Sequence, residues 1–142
     1  MEIILAENHG FCYGVKRAVE MANEAAEGKG KSYTLGPIIH NPQVVGRLES
    51  KGVSPIQEVA DIDEGTMIIR SHGVGPAIYA EAEEKGLHIL DATCPHVKKA
   101  QQDAKSVIED GMTLVILGEK NHPEVKSINL WANNKGIIIE DE

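Results

Sequence analysis

The sequence predicts an α/β protein built of parallel sheets flanked by helices. Two observations carry that reading. Strand-like runs alternate with helix patterns along all 142 residues, as in chains made of strand–helix–strand units. The runs are also continuously apolar, as in Thr66-Met67-Ile68-Ile69, which marks strands covered on both faces.

Taken in order, Glu2-Ile3-Ile4-Leu5-Ala6 reads as a first strand. Val15, Ala18, Val19, Ala22, Ala25 and Ala26 then recur at helical spacing until Gly28 and Gly30 end the pattern. Tyr33-Thr34-Leu35 is a short strand, and residues 43–50 a short helix closed by Gly52. The mixed, acidic stretch 53–64 reads mainly as loop, with room for one weak strand. Residues 66–69 form a buried strand, followed by a helix from Pro76 through Glu84 that Gly86 stops. Leu87-His88-Ile89-Leu90 leads through an elbow into a helix with Val97, Ala100, Ala104, Val107 and Ile108 on one face, ended by Gly111. Residues 112–117 read as the strongest strand. A helix after Pro123 and a strand over 136–139 follow. Only Glu140-Asp141-Glu142 come after it, where such a fold would begin another helix, so the architecture reads as unfinished.

Composition narrows the function. An apolar fraction of 42% and a charged fraction of 25% fit a soluble globular chain. A formal net charge of −8 argues against general binding to nucleic acid or an anionic membrane, both of which need clustered Lys and Arg. No apolar run approaches the roughly 18 residues of a membrane span, and no signal-peptide pattern opens the chain. A cytoplasmic location is expected. The two cysteines then read as metal ligands or redox groups rather than a disulfide framework.

Chemistry gathers at the elbows. Cys94 lies in Asp91-Ala92-Thr93-Cys94-Pro95, where Asp91 and Thr93 are expected to accept from free helix N–H groups and Pro95 suits the first helical turn. A cysteine at a helix start meets the positive end of the dipole, which favours the thiolate that binds metal. Cys12, within Gly10-Phe11-Cys12-Tyr13-Gly14-Val15, has the same setting. His40, His72 and His122 each lie shortly beyond a strand end and before a helix, the edge where parallel α/β sheets bind ligands. Imidazoles and helix N-termini there suit an oxyanion such as phosphate, or a metal. Glu124, two residues after His122 in a first helical turn, is the candidate proton donor. Gly10, Gly14, Gly73 and Gly75 suit tight turns and close approach to a ligand. His9, His88 and His96 lack this placement. The residues alone therefore point to a phosphate-handling or metal-handling α/β enzyme. Two thiols are too few for an all-thiolate iron–sulfur cubane, and zinc held by Cys and His stays open.

Five motifs also carry a resemblance. The first is Gly10-Phe11-Cys12-Tyr13-Gly14-Val15 with Arg17-Ala18, followed by Ile39-His40-Asn41 and Ser71-His72-Gly73-Val74. Asp91-Ala92-Thr93-Cys94-Pro95 is the fourth, and Gly118 with His122-Pro123-Glu124-Val125 the fifth. In this order, along nearly the whole chain, they resemble the 4-hydroxy-3-methylbut-2-enyl diphosphate reductases of the LytB/IspH family. The resemblance implies reductive dehydroxylation of an allylic diphosphate alcohol to isopentenyl and dimethylallyl diphosphate, the last step of the methylerythritol phosphate route to isoprenoids. It implies an oxygen-sensitive [4Fe-4S] cluster with three cysteine ligands and one open iron, and electrons from ferredoxin or flavodoxin. By the same resemblance Cys12 and Cys94 match two cluster ligands. His40, His72 and His122 match the diphosphate-binding histidines, and Glu124 matches the proton relay.

Members of that family are longer and built from three similar α/β units around the cluster. The resemblance implies that residues 1–12 carry a strand and cysteine loop packing with a third unit. Residues 13–94 would form the first unit and 95–142 part of the second. The third cluster cysteine, a threonine and a Ser/Asn set near the substrate would belong to a missing C-terminal half. The chain thus reads as the N-terminal portion of such a reductase, expected to be inactive alone. The alternative is a non-catalytic module that binds zinc or diphosphate.

Overall fold

The computed structural model describes residues 2–7, 9–28 and 30–141. Its elements alternate as the apolar runs require. They are α1 (Tyr13–Glu27), β1 (Ser32–Leu35), α2 (Pro42–Glu49), β2 (Val53–Ile56), a 3-10 turn (Val59–Asp61), β3 (Thr66–Ile69), α3 (Pro76–Glu84), β4 (His88–Asp91), α4 (Pro95–Glu109), β5 (Val115–Leu117), α5 (Pro123–Trp131) and β6 (Ile137–Ile139). All ladders are parallel. The first four strands form one sheet in the order β2-β1-β3-β4, and β5 pairs with β6 in a second.

Strand β3 explains why its sequence is apolar throughout. Ile68 packs with Ala18, Ala22, Val44 and Leu48 of α1 and α2 on one face of the sheet. Met67 and Ile69 point the other way, toward Val59, Ile62 and Ala82 around α3. Alternate side chains of a strand face opposite layers, so a strand with helices on both sides has no polar side to show. Small residues do the same work on α1, where Gly14, Ala18 and Ala22 are buried and let the helix lie close to the sheet.

Within α2, Gly46 serves no such contact: a methyl built on it meets no atom within 4 Å. Gly46→Ala is therefore expected to stabilise the chain by about 0.5–1 kcal/mol through helix propensity alone. Urea unfolding of the two proteins checks it, and a lowered midpoint would contradict the open surroundings.

Three expectations need correction. Residues 2–6 join no ladder; Ile3, Ile4 and Leu5 are 75%, 83% and 77% exposed. Apolar composition favours a strand, but a strand exists only where an edge offers hydrogen bonds, and among the described residues none pairs with it. The stretch 53–64 holds a full strand, because β1 supplies β2 with a parallel partner from Ser32↔Val53 to Leu35↔Ile56. The strand expected over 112–117 shrinks to Val115–Leu117, the three residues in register with β6. Among the described residues, no helix is long and apolar enough to cross a membrane.

Candidate functional site

The strand order creates the site. β1 connects outward to β2, whereas β3 connects outward to β4 on the other side, so the winding of the sheet reverses between the parallel strands β1 and β3. Loops leaving adjacent strands in opposite directions open a crevice at their carboxyl ends. His40 follows β1 and His72 follows β3, and their ring centroids stand 4.6 Å apart. His122, following β5 of the second sheet, closes the group at 5.9 Å from His40 and 5.5 Å from His72. One ring nitrogen from each lies within 4.8 Å of the others.

Local chemistry fixes two of the three loops. The Asn41 side chain accepts from Val44 N at 3.0 Å and caps α2 directly after His40. His122 is itself the N-cap of α5, its Nδ1 accepting from Glu124 N at 3.2 Å. That bond requires an unprotonated Nδ1, which leaves Nε2 as the nitrogen free to donate. Burial pushes His72 down to about 4, with His40, Arg70 and His122 adding positive charge nearby. His72 is thus neutral at pH 7, and its Nδ1 is buried with no hydrogen-bond partner among the described residues. An anion placed beside His72 would favour the charged form that burial and its positive neighbours disfavour.

The thiols occupy an adjoining corner. Cys12 and Cys94 are the N-cap residues of α1 and α4. A methyl on Gly14, two residues past Cys12, would overlap Cys94 Sγ and stand 3.0 Å from its Cβ. The Cys94 sulfur therefore rests on the first turn of α1. Arg17, one turn along that helix, donates to the Thr93 carbonyl at 3.2 Å and the Asp91 carbonyl at 3.4 Å. Hydrogen bonds tie this corner to the histidines: Cys94 N donates to Ser71 O at 2.9 Å, and the Ser71 hydroxyl donates to Ile38 O at 3.3 Å, two residues before His40.

Asp91 and Thr93 do not cap α4 as expected. Asp91 ends β4, and its carboxylate takes Thr93 N at 3.0 Å, Tyr79 Oη at 3.1 Å and Lys98 Nζ at 2.6 Å instead. Burial alone would raise the Asp91 carboxyl, but the bonds from Lys98 and Thr93 outweigh it and hold it below the usual range. Burial, then the Asp91 charge, pushes the Tyr79 hydroxyl up to about 12, so it remains a donor. Asp91 thus shapes the loop that carries Cys94.

The family model described as LytB protein matches residues 3–142. The chain belongs to the LytB family. A 4-hydroxy-3-methylbut-2-enyl diphosphate reductase of Geotalea uraniireducens is 51% identical over 139 residues, covering 98% of this chain and 49% of the relative. One of Aquifex aeolicus is 48% identical and covers 99% and 50%. A solved structure of (E)-4-hydroxy-3-methyl-but-2-enyl diphosphate reductase, described as the terminal enzyme of the non-mevalonate pathway, superposes with a TM-score of 0.84 at 48% identity, covering 98% of this chain and 51% of that one. The Plasmodium falciparum E-1-hydroxy-2-methyl-but-2-enyl-4-diphosphate reductase gives 0.91 at 33% identity, over 95% and 43%. The LytB chain thus spans about half the length of the curated relatives it matches.

One feature of this LytB chain escaped its sequence. Buried Gln101 of α4 donates to Ser127 Oγ at 3.2 Å. Ser127 donates to the His72 carbonyl at 2.7 Å, with the Glu124 carbonyl as an alternative acceptor at 2.9 Å. A relay between residues 26 and 55 positions apart has no local pattern to betray it. Gly73 sits in the turn its sequence predicts (φ +70°), and packing adds a second demand: a methyl there would overlap Gln101 Nε2 and lie 3.0 Å from Thr93 Cγ2. Glu124 stands in the first turn of α5 as expected, yet the mutually close donor set contains the histidines without it. Neither cysteine joins that set, so among the described residues no three-donor zinc site combines both thiols with a histidine.

Proposed function

We propose that this LytB chain forms the diphosphate-binding and proton-delivering part of a 4-hydroxy-3-methylbut-2-enyl diphosphate reductase, the last enzyme of the methylerythritol phosphate route. The observation that carries it is the convergence of three imidazoles at a sheet switch point beside the cysteines at the N-cap positions of α1 and α4. His40, His72 and His122 bind the diphosphate, His72 taking up a proton as the anion arrives. Glu124 holds the proton that goes to the leaving hydroxyl. Residues 13–94 and 95–142 act as the first unit and part of the second.

The thiols fit part of an iron–sulfur site. A protein-bound [4Fe-4S] cluster takes three or four thiolates. Cys12 and Cys94 supply two from neighbouring helix starts, so their donors suit the group without completing it. When bound, such a cluster supplies single electrons, received from a ferredoxin or flavodoxin, and an open iron as Lewis acid for the substrate hydroxyl. The ordinary work of this chain is to seat the anion, hold the thiols and deliver a proton.

Two experiments test this. Pyrophosphate binding followed by calorimetry is expected to weaken about tenfold, ~1.4 kcal/mol, in His40→Ala; unchanged affinity would remove the histidines from the site. Anaerobic reconstitution with iron and sulfide is expected to leave the 142-residue chain without a stable cluster. Adding the second half of the Geotalea uraniireducens relative is expected to restore cluster absorbance and dehydroxylation, both lost again in Cys94→Ser. A stoichiometric cluster on this chain alone would overturn the incomplete donor set.

A further inference from the structure

A second cleft lies beside the histidine group without sharing any histidine. It is a cavity of about 260 Å³ at the carboxyl edge of the first sheet, bounded by Leu35, Gly36, Arg70, Val74, Ile78 and, from α5, Lys126 and Leu130. Its lining is mostly apolar, yet it holds two cations and no carboxylate. Arg70 is the telling residue. Its guanidinium is packed so closely on Gly36 that a methyl there would stand 2.7 Å from Nη1. Its Nε is buried with no hydrogen-bond partner among the described residues. Among the described residues its side chain makes neither a hydrogen bond nor an ion pair, although the sequence has 22 acidic residues to 14 basic ones. Desolvation by burial disfavours its charge, and a desolvated cation is costly unless an anion faces it.

We infer that this cleft binds a small organic monophosphate whose anion faces Arg70 and Lys126 and whose short apolar tail lies on Leu35, Val74, Ile78 and Leu130. A guanidinium pairs with two phosphate oxygens at once, and the facing anion offsets the desolvation that burial imposes on the charge. Lys126, exposed on the rim, adds charge without geometric demand. The apolar walls then select an esterified phosphate over inorganic phosphate. This site stands apart from the histidine reading: it uses none of those side chains, and either can fail alone.

The test is titration of the isotopically labelled chain with n-butyl phosphate, followed by amide NMR. Saturable shifts are expected at Gly36, Gly75 and Leu130, with inorganic phosphate weaker and n-butanol inert. Arg70→Gln is expected to weaken binding roughly tenfold and Lys126→Ala roughly threefold, while His40→Ala leaves it unchanged. Shifts confined to His40 and Asn41, or equal affinity in folded Arg70→Gln, would overturn the site. Should Arg70→Gln fail to fold, Lys126→Ala decides from an exposed position: unchanged affinity there counts against the proposal.

Discussion

Replacing Gly14 by alanine is expected to destabilise the chain by about 1–3 kcal/mol and to drive the Cys94 sulfur off the start of α1. The added methyl would overlap Sγ and approach the Cβ and Cα of Cys94 to 3.0 and 3.7 Å. Rotating the cysteine side chain moves the sulfur but leaves its Cβ in place. The loop cannot retreat freely either, since Cys94 N is bonded to Ser71 O and Arg17 holds the Thr93 carbonyl. Helix propensity pulls the opposite way, by about 1 kcal/mol in favour of alanine, so steric overlap has to win for the sign to hold. Gly46→Ala supplies the comparison, with the same chemistry in open space. Urea midpoints and the rate of Cys94 alkylation measure the two effects. Adding Cys94→Ala to Gly14→Ala is expected to recover part of the loss, because the worst overlap disappears. If Gly14→Ala proves as stabilising as Gly46→Ala, the sulfur does not rest where α1 begins.

Acid is expected to weaken the fold through His72 in a defined window. Its pKa is about 4 in the folded chain against an ordinary 6.5. Between those values the unfolded chain binds a proton that the folded chain refuses, so stability falls as pH drops from 6.5 and levels off below about 4. At ~1.4 kcal/mol per unit, reduced for solvent screening of a half-buried ring, the loss comes to about 1–2 kcal/mol. The difference in pH profile between the chain and His72→Gln isolates this group from every other carboxyl and imidazole. Pyrophosphate reverses the sign. An anion beside the ring favours its charged form, so binding takes up a proton and strengthens as pH falls toward the folded value. Calorimetry in buffers of different ionisation enthalpy counts that proton. His72→Gln is expected to lose both the uptake and at least about tenfold in affinity; uptake that survives the substitution would assign the proton elsewhere.

The elements were legible where punctuation was strong. Gly28, Gly52, Gly86 and Gly111 follow helix ends, and Pro42, Pro76, Pro95 and Pro123 open helices, each at a position that backbone geometry dictates. Two segments misled for opposite reasons. Val53-Ser54-Pro55-Ile56 carries a proline and weak β propensity, yet β1 lends it a ladder. Glu2-Ile3-Ile4-Leu5-Ala6 has the composition of a strand and none of the partners. Asp91 misled in another way. A carboxylate before a helix suggests a cap, but Tyr79, twelve residues away, and Lys98 compete for it.

By itself the sequence established the alternation of strands and helices, the helix-start setting of Cys12 and Cys94, the strand-end setting of the three histidines, and membership of a family whose motifs stand in order. Only the tertiary structure decided that β1 and β3 are neighbours, which brings His40 and His72 together, and that α5 docks through Ser127 so that His122 reaches them. Only there does Gly14 meet the Cys94 sulfur, Arg17 the Thr93 carbonyl and Arg70 its cleft. The reason is physical: element type follows from bonds and side chains a few residues apart, whereas a site depends on which distant edges pair, and that is settled by the packing of the whole core.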